Sequence, residues 1–109
     1  MMKTVLTTVL MLAALATEGQ AGVRNYFAPL LDGARLDACL TAGADCGKPA
    51  ADAFCKAQGF ETAILFQREH ATNQSTRRLG SGEMCDTGSC TSFRQIKCFA
   101  PGEIVAAAT

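Results

Sequence analysis

Six cysteines carry the first legible chemistry: Cys39, Cys46, Cys55, Cys85, Cys90 and Cys98, spaced C-x6-C-x8-C-x29-C-x4-C-x7-C. A thiol can hold a metal, attack an electrophile or oxidise to a disulfide, and its surroundings decide which. There is no C-x2-C pair, and the one histidine, His70, lies far from any cysteine in sequence, so zinc is not indicated. The chain opens on Met1-Met2-Lys3, followed by an uncharged apolar run from Thr4 to Ala16. That run is too short to span a bilayer. It predicts a secretory signal peptide over residues 1–16, cut after Ala14-Leu15-Ala16; Gly19-Gln20-Ala21 offers a second cleavage point at 21. An even cysteine count in a small secreted chain implies three disulfides and no free thiol nucleophile. Six cysteines admit fifteen pairings, and spacing alone selects none.

The remaining polar residues form no catalytic set. Hydrolysis by a side-chain nucleophile needs that nucleophile, a base and an orienting group together. His70 stands beside Glu69, while Ser75, Ser81, Ser89 and Ser92 fall in turns or at strand edges, and no G-x-S-x-G occurs. Asp37, Asp45, Glu61 and Glu83 show no spacing that favours a carboxylate pair. Asp45 and Asp86-Thr87-Gly88-Ser89 are too sparse for a calcium loop, and Gly80-Ser81-Gly82 opens no phosphate-binding helix. The expectation is no enzyme, no metal and no cofactor. A binding role remains, carried by three loops: His70 to Ser75, Gly80 to Gly82 and Asp86 to Ser89. Their candidate contact residues are His70, Asn73, Ser81, Asp86, Thr87 and Ser89. Asn73-Gln74-Ser75 is also an N-glycosylation sequon, usable if the source is a eukaryote. The expected partner is an extracellular protein or a glycan. A glycan would want an exposed aromatic platform, for which Tyr26 or Phe99 is the candidate.

Charge narrows the partners further. Without residues 1–16 the chain keeps nine basic and ten acidic side chains, a net charge of −1. This gives no electrostatic reason to expect nucleic acid or an anionic membrane. Arg68, Arg77, Arg78, Arg94 and Lys97 read as a solvated face.

The elements that must position these groups are short. Pro49 fits the first turn of a helix and Gly59 its left-handed stop, predicting a helix over 49–58. Asp52 is expected in its first turn, paired with Lys56, and Ala50, Ala53, Phe54 and Ala57 share its apolar face. Arg35 to Thr41 alternates as a half-buried strand, and Thr41 to Asp45 is a loop. Phe60, Thr62, Ile64 and Phe66 alternate with Glu61, Ala63, Leu65 and Gln67 as a second strand. Thr76 to Leu79 is a short strand, and Thr91 to Phe99 is the last. Its Phe93 and Ile96 fall on opposite faces unless a β-bulge intervenes. Tyr26, Phe27, Leu30 and Leu31 are expected to cover one edge of the core. The predicted fold is α+β: a small disulfide-rich domain at 35–100, with one short helix packed on a three- to five-stranded, mostly antiparallel sheet. An N-terminal arm at 17–34 precedes it and a flexible tail at 101–109 follows.

The stretch Cys46-Gly-Lys-Pro-Ala-Ala-Asp-Ala-Phe-Cys55, with Gly80, Gly82, Cys85, Cys90, Phe93, Ile96 and Cys98 downstream, resembles small secreted cysteine-rich proteins of unassigned activity. They share a CGxPAADxFC helix and a GxGxxC…C tail. The likeness covers roughly residues 35–100 and implies the fold without an activity. Phe54 to Phe60 is also faintly similar to the helix–glycine turn of scavenger-receptor cysteine-rich and C-type-lectin modules, but the cysteine spacing differs and there is no tryptophan. Together the residues predict a secreted, non-catalytic binding module. The alternative is a secreted toxin, effector, antimicrobial or protease-inhibitor-like defence protein, whose inhibitory loop would be Asp86 to Ser89 between Cys85 and Cys90.

Overall fold

The structure, a computed structural model, describes residues 22–101. The leader, residues 17–21 of the arm and the tail beyond 101 lie outside the described residues. In chain order the elements are β1 (Gly22–Phe27), β2 (Leu30–Leu31), β3 (Ala34–Leu36), β4 (Cys39–Thr41), β5 (Ala44–Cys46), α1 (Lys48–Ala57), β6 (Thr62–Thr72), β7 (Thr76–Arg77), β8 (Met84–Cys85) and β9 (Ser89–Ala100). The three-stranded sheet β1-β9-β6 is antiparallel and carries α1 on one face. A four-stranded sheet, β2-β3-β7-β8, contains the one parallel pair among the described strands, β3 with β7. Hairpin β4–β5 is separate. This is the expected small disulfide-rich α+β domain, with one helix on mostly antiparallel strands. Its bridges are Cys39–Cys46, Cys55–Cys98 and Cys85–Cys90.

The helix runs one residue earlier than its punctuation suggested. Gly59 ends it at φ 94°, donating to the Lys56 carbonyl while the Phe60 amide donates to that of Cys55. These two bonds form a Schellman motif and need a left-handed residue at Gly59. The buried stripe is Ala50, Ala51, Phe54 and Cys55, not the expected Ala50, Ala53, Phe54 and Ala57. The Cys55–Cys98 bridge turns the Cys55 flank toward β9, which leaves Ala57 in solvent.

Asp52 sits beyond the first turn and does not pair with Lys56. It takes Lys48 at 3.0 Å, the Thr62 hydroxyl at 2.9 Å and the Ala63 amide at 2.8 Å. Lys48 also donates to the Ala63 carbonyl at 3.3 Å. Ala63 lies on β6, an edge strand, so two helical side chains stand in for a missing neighbour strand. Burial alone would raise the Asp52 pKa. The Ala63 amide, Lys48 and Thr62 outweigh it and hold the carboxyl below its ordinary value of 3.8.

Two bulges set the long strands. Ala63 opposes Cys98 and Leu65 opposes Lys97, so Ile64 is an extra residue and is 52% exposed rather than inward. Gln67 opposes Gln95 and Arg68 opposes Phe93, so Arg94 is the extra residue in β9. Its carbonyl accepts the Ala28 amide. This bulge puts Phe93 and Ile96 on one side, both fully buried. Phe66 meets Phe93 edge-on at 6.0 Å, and Tyr26 meets Phe54 at 5.0 Å.

Three other expectations change. The segment expected as an arm supplies β1 and β2: Tyr26 and Leu31 pack on the core, but Phe27 and Leu30 are exposed. The strand over 35–41 divides at Asp37, which is buried rather than outward. Its carboxylate accepts the Cys39 amide at 2.8 Å and the Thr76 hydroxyl, bending the chain from β3 into β4. The loop expected at 41–45 is the turn of a hairpin whose strands Cys39–Cys46 cross-links.

Candidate functional site

The register of the sheets brings two of the three candidate loops face to face. Thr72 at the end of β6 opposes Ser89 at the start of β9, and Thr76 in β7 opposes Cys85 in β8. Residues 73–75 therefore join Thr72 to Thr76, while 86–88 join the two opposing residues. Both loops span the same gap between the same two strand pairs. The space between them is a polar cleft of about 310 Å³ lined by Asn73, Gln74, Ser75, Asp86, Thr87 and Gly88.

Each wall is held from behind. The Cys85–Cys90 bridge clamps the ends of the 86–89 loop. Within it, the Thr87 hydroxyl lies 3.2 Å from the Ser89 hydroxyl and accepts the Ser89 amide at 3.3 Å. On the other wall the Gln74 amide donates to the Ala71 carbonyl at 3.2 Å, closing the turn, and Asn73 takes φ 57° at its tip. Arg35 ties this wall to the body: it donates to Gln74 Oε1 at 3.4 Å, to Glu69 at 2.9 Å and to the Phe93 carbonyl at 2.9 Å. Sequence reasoning passed over Arg35, because nothing local marks a strand residue whose partners lie 34 to 58 positions away.

The other candidates lie apart. His70 is not in a loop; it is a β6 strand residue opposite Thr91 and outside the cleft lining. Ser81 belongs to a separate turn, where its amide donates to the Leu40 carbonyl and its hydroxyl accepts the Glu83 amide. Ser89 supports Thr87 without lining the cleft. Two of the five basic residues are committed to the body of the fold: Arg77 donates to the Gly82 carbonyl and Arg78 stands 4.0 Å from the buried Asp37. Tyr26 is committed to Phe54 and Phe60 and makes no platform.

Chemically, the cleft offers two side-chain amides, two hydroxyls and one carboxylate. Asp86 is the acid of the lining, and the Thr87 hydroxyl beside it in sequence is hydrogen-bonded to Ser89 rather than to that carboxylate. All six cysteines are bridged. Among the described residues no group of three His, Cys, Asp or Glu side chains is placed to hold a metal ion, and no helix is long and apolar enough to cross a membrane. No family model, curated protein or solved structure matches the chain.

Proposed function

We propose that this is a secreted, non-catalytic binding module whose recognition loops are 73–75 and 86–88. The observation that carries this reading is their convergence on one cleft over a disulfide-clamped base. A cleft of amides, hydroxyls and one acid offers hydrogen bonds rather than an apolar bed. It suits a polar group on an extracellular protein or glycan: an amine or guanidinium against Asp86, or hydroxyls against Asn73, Gln74 and Thr87. Three bridges favour an oxidising compartment, where they need no enzyme to persist. The resemblance to small secreted cysteine-rich proteins supports the same reading. The inhibitor alternative gains nothing from the 86–89 loop, which closes on itself through Thr87 instead of extending like a bound substrate strand.

The test has two arms. Mass analysis of the natural material is expected to show a chain without its leader and without free thiols; an intact leader or free thiols would end the secretion reading. Amide shifts of the labelled protein, titrated with glycan and peptide panels, are expected to move at 73–75 and 86–88. Those shifts are expected to vanish in Gln74→Ala or Asp86→Ala. Shifts that survive both substitutions would remove the cleft as the site.

A further inference from the structure

The three-stranded sheet has a second face that no described element covers. Directly opposed residues share a face, and every second residue along a strand shares it too. On that rule the outer face is a grid of three rows. Phe27, Gln95 and Gln67 form one, Asn25, Lys97 and Leu65 the next, and Val23, Phe99 and Thr62 the third, where Thr62 at the sheet edge gives its hydroxyl to Asp52 of α1. The alternate rows turn inward, where Ile96 and Cys98 are fully buried beneath α1. Outside, Phe27 is 69% exposed and Val23 52%. The Gln95 amide donates to Asn25 Oδ1 at 2.9 Å, which fixes both side chains across the strands.

We propose that this face binds an acidic polysaccharide segment. The grid interleaves apolar and amide side chains, so a ligand must present apolar patches and hydroxyls by turns. A sugar chain does so: its C–H faces suit Phe27 and Phe99, and its hydroxyls suit Asn25, Gln67 and Gln95. Lys97 is the one ionisable residue among the nine positions and occupies the centre. It makes no ion pair among the described residues. With no acid on the face, the complementary ligand carries carboxylate or sulfate. From the first row to the third is four residues of strand, about 13 Å, the length of a short oligosaccharide.

The other occupants fit less well. A two-fold contact with a second copy, centred on the grid, would bring one Lys97 against its own copy and bury the Gln67 amide, which has no partner on the face among the described residues, beside the Asn25–Gln95 pair. A membrane surface wants an unbroken apolar face, which the amide rows interrupt.

The experiment is calorimetry of the full exported chain against a tetrasaccharide of uronic acid units, with a neutral glucan tetrasaccharide as the control. The uronate is expected to bind, weakening as salt rises, and to lose at least tenfold in Phe27→Ala and in Lys97→Gln. Gln67→Ala, an exposed edge substitution, is expected to weaken it by a smaller factor with folding intact. Asp86→Ala is expected to leave it unchanged, which separates this face from the cleft. No uronate binding, equal binding of the neutral glucan, or sedimentation showing a dimer dissolved by Phe27→Ala would each overturn the proposal.

Discussion

A methyl group added at Gly80 would stand 2.7 Å from the carbonyl oxygen of Leu40 and 3.1 Å from its Cβ. That carbonyl accepts two amides, from Gly80 at 3.0 Å and from Ser81 at 3.1 Å. The turn after β7 is thus hung on β4 by a single oxygen approached too closely for any side chain. Backbone on both sides must shift to admit a Cβ. Gly80→Ala is therefore expected to lower stability by about 1–3 kcal/mol, read as a shift in the denaturant midpoint at unchanged slope. An unchanged midpoint would mean that the turn is free to move away. The sequence marks this glycine as part of a G-x-G turn. That it abuts a carbonyl forty positions upstream is a tertiary fact without a local signature.

At the scale of elements, α1 is locked to β6 through Asp52. The folded carboxyl titrates below 3.8, so its stabilising contribution is complete above that pH and disappears as pH falls through the lower folded value. Asp52→Asn keeps one acceptor but loses the charge that draws in Lys48. It is expected to cost about 1–2 kcal/mol near neutral pH, and the gap between the two proteins is expected to close below pH 3.8. Thermal melts across that range check it, and a gap independent of pH would refute the carboxylate's role. Elements with strong punctuation were legible: the helix between Pro49 and Gly59 lies within one residue of its expected bounds. The Phe93/Ile96 conflict correctly called for a bulge, which falls at Arg94. Illegible were the features set by long-range pairing. Two-residue strands such as β2 and β8 are too short to show a period. Within β1, Arg24 and Asn25 interrupt the apolar run, so the strand reads as an arm until β9 pairs with it. The cleft was half legible: turn composition named loops 70–75 and 86–89, wider than the 73–75 and 86–88 that the strands leave free. Only the register Thr72↔Ser89 and Thr76↔Cys85 shows that they face each other, and it places His70 in a strand.

For the molecule as a whole, three bridges act at two ranges. Cys39–Cys46 and Cys85–Cys90 join residues only 7 and 5 apart, while Cys55–Cys98 spans 43. Cross-linking restricts the unfolded chain more when the closed loop is longer. The chain-entropy relation gives about 4 kcal/mol for the long bridge and about 2 kcal/mol for each short one. The long bridge also links the helix to the central strand through two fully buried sulfurs, so its loss would open the core as well as free the chain. Of the three paired Cys→Ala variants, Cys55→Ala with Cys98→Ala is expected to unfold at the lowest denaturant concentration. The Cys85 and Cys90 pair is expected to cost least globally, because β6 and β9 still pair at Ala71↔Cys90 and Thr72↔Ser89. Its effect belongs instead to the loop: faster amide exchange at 86–88 and weaker binding in the cleft. If that pair melted the whole fold instead, the clamp would be part of the core. The picture of a recognition loop mounted on a separately secured sheet would then fail.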